Sequence, residues 1–233
     1  MTSPKTAVVT GASSGIGAAT ARQLAAAGYH VFCAARRRDR IEALAAEIGG
    51  TAVECDVTSV ESVAGLAAAV GERLDVLVNN AGGAFGASPV SAADGDEWRQ
   101  MYEVNVIGLM QVTRALLPAL VASGAGAIVN VGSTAARRGV NGGSAYCSSK
   151  FALSGLTECW RAELRKSNVR VMQVDPSEVQ NDFGVNAGRA ARKASNPSKL
   201  VSEDIARAIV ALLELDDRSF VPDLEVWATN PTS

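Results

Sequence analysis

Tyr146 and Lys150 stand four residues apart in the segment SAYCSSKFA. On a helix that spacing puts both side chains on one face. A phenol titrating at about 10 is a poor acid–base group at neutral pH. A lysine ammonium within about 4–6 Å favours the phenolate and moves its titration toward the working range. A surface Tyr–Lys pair would carry the same signature. Ser133, thirteen residues upstream of Tyr146, shifts the reading because it closes the strand-like run AIVNVGS at its carboxyl end. A serine hydroxyl there can donate to a carbonyl oxygen on which negative charge develops.

The second chemical signal is TGASSGIGAA, with glycines at Gly11, Gly15 and Gly17. The spacing is not GxGxxG, and a plain tight turn would also be glycine-rich. Its position between a first strand and a first helix favours a nucleotide site. Unpaired N–H groups and the positive helix end suit a pyrophosphate there, and Ser13 and Ser14 can add hydroxyl donors. The second strand discriminates between cofactors. An acid about 20 residues on would bind a ribose 2′-hydroxyl, whereas an arginine accommodates a 2′-phosphate. Here Ala34 and Ala35 stand where the acid would sit, followed by Arg36, Arg37 and Arg38. NADP(H) is therefore expected over NAD, with Arg36 the contact and at least one of the three arginines simply solvated.

These residues need a frame that converges them. Apolar strand-like runs alternate with alanine-rich helical stretches: KTAVVT, YHVFCAA, TAVECDV, LDVLVNN, GAIVNVGS and VRVMQVDP are the strands. Helices are expected over GIGAATARQLAAAG, RDRIEALAAEIG and SVESVAGLAAAVGE, from about Asp94 to Val121, and from about Ser144 to Ser167. Alternation of this kind with non-alternating apolar strands predicts an α/β Rossmann-type fold: one doubly wound parallel sheet of about seven strands, helices on both faces, and one domain over 1–233. AGGAFGASPVSAA and the segment from Ser177 to Leu200 read as loops at carboxyl ends of strands, where ligands bind in such sheets.

The 233 residues carry a net charge of −2, which gives no field for nucleic acid or an anionic membrane. No apolar stretch reads as long enough to span a bilayer, and a soluble, cytoplasmic protein is expected. The four cysteines form no CxxC pair and read as buried or half-buried thiols. A single histidine, His30, excludes a histidine-rich metal site and reads as a strand residue.

Taken together, TGASSGIG, CDV (Cys55–Val57), NNAG (Asn79–Gly82), VNVIG (Val104–Gly108), Ser133 and YCSSK resemble the short-chain dehydrogenase/reductase family over nearly the whole chain. The resemblance implies that Tyr146 exchanges a proton with the substrate oxygen. Lys150 would hold the nicotinamide ribose and depress the Tyr146 pKa, while Ser133 polarises the carbonyl. Asn105 would fix a water in a relay to Lys150, although a buried helix amide is an equal reading of that residue. Asp56 would meet the adenine amino group, with Val57, Asn79, Ala81 and Gly82 along the nucleotide and Gly15 and Ile16 in the turn. After the sixth strand the family shows Pro-Gly and then a threonine. Here Pro176 is kept, Ser177 replaces the glycine and Asn181 stands at the threonine position, with Val179 between them as a cofactor contact.

The expected activity is interconversion of a carbonyl and a secondary alcohol on a small molecule. Phe85, Val140, Asn141, Phe183 and the loop to Leu200 are candidate pocket linings. A 3-oxoacyl reductase acting on an acidic carrier protein is the alternative. It would use Arg137, Arg138, Arg189, Arg192 and Lys193, but VASGAGA carries no basic residue for docking. A non-catalytic NADP(H) sensor would tend to lack the tyrosine or lysine kept here. The family further implies a homo-oligomer, a tetramer foremost, with Phe151, Leu156 and Trp160 as candidate packing residues.

Overall fold

The computed structural model describes residues 4–181, 183, 196–216 and 218–229. In chain order the strands are β1 (Thr6–Thr10), β2 (His30–Ala35), β3 (Thr51–Glu54), β4 (Val76–Asn79), β5 (Ala127–Val131), β6 (Arg170–Pro176), β7 (Val179–Gln180), β8 (Leu200–Val201) and β9 (Asp223–Val226). Seven form one sheet in the order β3-β2-β1-β4-β5-β6-β9, and every pairing in it is parallel. The strand order reverses between β1 and β4, and that switch point opens the crevice where such sheets bind ligands.

Successive strand residues point to opposite faces, and both faces are covered. Ala7 and Val9 of β1 pack with Leu24 of α1 (Gly15–Ala26), Ile41 of α2 (Arg38–Ile48) and Ile205 and Ile209 of a later helix. Val8 goes the other way, into a cluster with Leu66 of α3 (Val60–Val70), Leu77 and Ile128. This is why the strands read as unbroken apolar runs.

The helix expected from about Asp94 to Val121 is built of α4 (Gly95–Tyr102), a π-helical segment Glu103–Gly108 and α5 (Leu109–Ala122). By length and composition Gly95–Ala122 could cross a membrane, contrary to the sequence expectation. Its apolar residues Val112, Leu116 and Leu120 are instead buried in the core cluster against the sheet. α6 (Ser144–Leu164) ends earlier than expected. A 3-10 turn, Arg165–Ser167, takes over and leads into Asn168 at φ 55°, a left-handed position that asparagine tolerates.

The segment from Ser177 to Leu200 is not wholly loop, because β7 pairs with β8 in parallel. Gln180 holds the pair by accepting from the Asn196 N–H and donating to its carbonyl, both at 2.6 Å. A helix α7 (Ser202–Leu213) and β9 complete the fold. The α7 residues Ile205, Ile209 and Leu213 recur at helical spacing and are buried.

Candidate active site

The carboxyl ends of β1, β2, β4, β5 and β6 surround a cleft of about 460 Å³. Gly11, Ser13, Ser14, Gly15, Ile16, Arg36, Asp56, Val57, Ala81, Gly82, Pro176, Val179 and Asn181 border it, as do Ser133, Tyr146 and Lys150. Three expected residues do not. Gly17, Asn79 and Asn105 form a supporting layer and are buried.

The glycine turn is held open by backbone geometry. Gly11 and Gly15 take φ of 67° and 55°, values L side chains rarely adopt. At Gly17 a Cβ would lie 2.5 Å from the Gly11 carbonyl oxygen, so helix and turn meet only if that residue is glycine. No side chain caps α1, because Ser14 makes no cap bond; its hydroxyl accepts from Arg37 Nη2 at 2.6 Å. Arg37 also reaches the Ser13 hydroxyl at 2.8 and 3.0 Å. Sequence reading favoured Arg36, which does border the cleft; the half-buried Arg37 is the arginine joined to the turn. Arg38 is solvated and paired with Glu42 at 2.7 Å, and Arg36 is exposed as well.

Asn79 turns inward, its amide donating to Thr113 Oγ1 and Asn130 Oδ1 at 2.9 Å. The next residue, Asn80, borders the cleft and donates to the Thr10 carbonyl at 2.9 Å. Strand alternation separates the two, and NNAG does not say which asparagine faces the ligand side. Asp56 Oδ1 accepts from the Thr58 N–H and hydroxyl at 3.0 and 2.8 Å. Partial burial pushes its carboxyl up, but the two Thr58 bonds and the charge of Arg36 hold it below the usual range. Across the cleft, Asn181 lies over the turn, within 4 Å of where a Gly15 Cβ would be, and its Oδ1 accepts from the Phe183 N–H.

At the other end stand the reactive groups. Lys150 is 6% exposed, and its Nζ donates to the Val131 carbonyl at 3.0 Å while lying 5.9 Å from the Tyr146 ring centroid. Burial lowers its pKa to about 8, against the opposing charge of Asp175. Ser133 Oγ accepts from the Ala135 N–H at 3.1 Å, starting a 3-10 turn. One lone pair is thus used, and its proton is left to donate. Asn105 sits inside the π segment, where π-bulges place functional side chains. It brackets Gly83, accepting from the N–H at 2.8 Å and donating to the carbonyl at 2.9 Å, and also donates to Ser149.

Phe85 and Phe183 border the cleft beside Tyr146, with the Phe183 ring edge-on to Tyr146 at 6.0 Å. Val140 and Asn141 do not border it, and Leu200 packs against the core. Sequence reading gave no site role to Ser177, which borders the cleft and whose buried hydroxyl has no hydrogen-bond partner, to Cys55, which also borders the cleft, or to Asp175. Cys33, Cys55 and Cys147 are buried and Cys159 is exposed, so one thiol departs from expectation. His30 is a strand residue bonded to Thr51 Oγ1 at 2.9 Å. Among the described residues no group of three His, Cys, Asp or Glu could hold a metal.

The short chain dehydrogenase family model matches residues 5–191. An uncharacterized oxidoreductase of Mycobacterium tuberculosis is 48% identical over 213 residues, covering 89% of this chain and 84% of the relative. An NADP-dependent 3-hydroxy acid dehydrogenase of Schizosaccharomyces pombe is 35% identical, covering 97% and 93%. Among solved structures, an alcohol dehydrogenase from the archaeon Thermococcus sibiricus, complexed with 5-hydroxy-NADP, superposes with a TM-score of 0.88 at 31% identity, over 98% of this chain and 99% of that one. The chain belongs to the short-chain dehydrogenase family and is an oxidoreductase.

Proposed function

We propose that the protein interconverts a small carbonyl compound and the corresponding secondary alcohol with NADP(H), and that residues 1–233 act as one nucleotide-binding and catalytic unit. The observation that carries this reading is the meeting of Ser133, Tyr146 and Lys150 at one end of a cleft whose other end is the uncapped glycine turn. The residues fit the cofactor. The open start of α1 suits a pyrophosphate, and Arg37 and Arg36 supply planar donors for a 2′-phosphate, with the Ser13 hydroxyl beside them, where no acid competes. Asp56 and Val57 serve the adenine, and Ala81, Gly82, Pro176, Val179 and Asn181 flank the remainder.

The bound nicotinamide supplies the hydride. Tyr146 gives its proton to the carbonyl oxygen in reduction and removes the alcohol proton in oxidation. Lys150 favours the phenolate, Ser133 donates to the same oxygen, and Asn105 braces the Gly83 backbone on the proton path. Aromatic Phe85 and Phe183 exclude water from the reacting end. A 3-hydroxy acid, the class named for the relative from Schizosaccharomyces pombe, is the substrate class to try first.

Carrier-protein docking gains little from the described basic residues. Arg137 is engaged by Asp175, Asp223 and Glu225, and Arg138 lies 4.6 Å over the Trp227 ring; Arg189, Arg192 and Lys193 lie outside the described residues. The test pairs NADPH and NADH titration by fluorescence with turnover of short 3-oxo acids, aldehydes and ketones. NADPH is expected to bind at least about tenfold tighter than NADH, an advantage of ~1.4 kcal/mol. Equal affinity would remove the assignment of Arg37 and Arg36.

A further inference from the structure

Asp175, next to last in β6, is fully buried. Its Oδ1 accepts from the backbone N–H of Ser133 at 2.9 Å. Gln173 Nε2 donates to both carboxylate oxygens at 2.8 and 2.9 Å. Arg137 closes on Oδ2 at 3.4 Å and is itself held by Glu225 at 3.1 Å and Asp223 at 3.6 Å on β9. Arg161 of α6 anchors Asp223 in turn, at 2.8 Å. The backbone is shaped to admit the carboxylate: a Cβ on Gly132 would lie 2.0 Å from Asp175 Oδ1.

We propose that Asp175 is a positioning residue for Ser133, its carboxylate gripping the Ser133 backbone from beneath so that the hydroxyl faces the substrate oxygen. A buried carboxylate is costly unless fully bonded. Burial pushes the Asp175 carboxyl above the usual range, against Gln173, the Ser133 N–H, Arg137 and Lys150. Buried carboxylates with shifted titration cluster at functional sites, and this one is bonded directly to the Ser133 backbone. The two oxygens offer enough lone pairs to serve Ser133, Gln173 and Arg137 together, which an amide cannot match.

The inference rests on the carbonyl–alcohol activity proposed above. Asp175→Ala and Asp175→Asn are each made alone and in a Ser133→Ala background. Melting, NADPH affinity, kcat and KM are then measured. Asp175→Ala is expected to lower kcat about tenfold or more, less than the ~100-fold or greater loss on removing an oxyanion donor, with NADPH affinity within about twofold. Asp175→Asn keeps one acceptor oxygen for the Ser133 N–H and lowers kcat only several-fold. Neither change lowers kcat further in the Ser133→Ala background, because the position it controls is already gone. If Asp175→Ala does not fold, the cycle is run with Asp175→Asn, whose several-fold loss, roughly the difference between a charge-assisted and a neutral hydrogen bond, must vanish in that background. Unchanged kcat, or a loss that adds to Ser133→Ala, overturns the positioning role. A wild-type protein that turns over no carbonyl or alcohol would overturn the activity and the role with it, whereas an active wild type with indifferent variants overturns the role alone.

Discussion

Lys150 is held where a cation is unwelcome, and that has a measurable sign. Its folded pKa, about 8, lies below the ordinary lysine value of about 10.4. A depressed folded pKa means the group contributes stability above the unfolded value and loses it as pH falls through the folded one. Below pH 8 the ammonium therefore destabilises the fold. Lys150→Met should melt higher than wild type at pH 7, by ~2–4 °C for each kcal/mol relieved, with the difference fading toward pH 10. Thermal melts across that range check it, and a lower melting point at pH 7 would refute the burial argument. Turnover should be lost in the same variant. Arg37→Ala should weaken NADPH binding about tenfold or more while leaving NADH nearly unchanged, the loss of a charge-assisted phosphate contact; fluorescence titration of both cofactors reads it. Side-chain type and spacing made Tyr146, Lys150 and Ser133 legible in the sequence. Arg37 was not separable from Arg36, since neighbouring residues differ only by the direction of the chain leaving β2. Asp175 reads simply as a strand end until the fold brings β5 beside β6.

The elements that hold the site do so through close backbone approach. Gly17→Ala places a methyl group 2.5 Å from both the Gly11 carbonyl oxygen and Asn80 Nδ2. It is expected to reduce NADPH affinity and to destabilise by about 1–3 kcal/mol, the range for overpacking. Denaturant unfolding and cofactor titration test the two effects separately. The doubly wound sheet was readable because apolar runs alternate with helical periods. What the sequence did not disclose is local. The π segment follows no pattern of residue types, and Gly108 records it only as the place where a Cβ would press to 2.8 Å on Val57. The two-residue strands β7 and β8 are too short to show a period. α7 does show one in Ile205, Ile209 and Leu213, a signal available from the sequence and passed over.

At the scale of the molecule, exposed apolar residues mark the outer helices: Ile107 is 38% and Phe151 47% exposed. Trp160 packs against the core from its partly buried position, so Phe151 is the better candidate for a subunit contact. We propose a homotetramer, and light scattering should give about four times the 24.0 kDa chain mass; a single-chain species would remove the proposal, and Phe151→Glu should shift the assembly toward smaller forms. The most direct measurement is NADPH consumption with a panel of short carbonyl compounds, wild type beside Tyr146→Phe, each first shown to bind NADPH. Turnover by the wild type, falling by at least about 100-fold in the variant while NADPH binding stays intact, is the expected result, on the scale of general acid–base catalysis. Undiminished turnover by Tyr146→Phe would contradict the assignment of the proton to Tyr146, and NADPH binding without turnover by the wild type would contradict the proposed reaction.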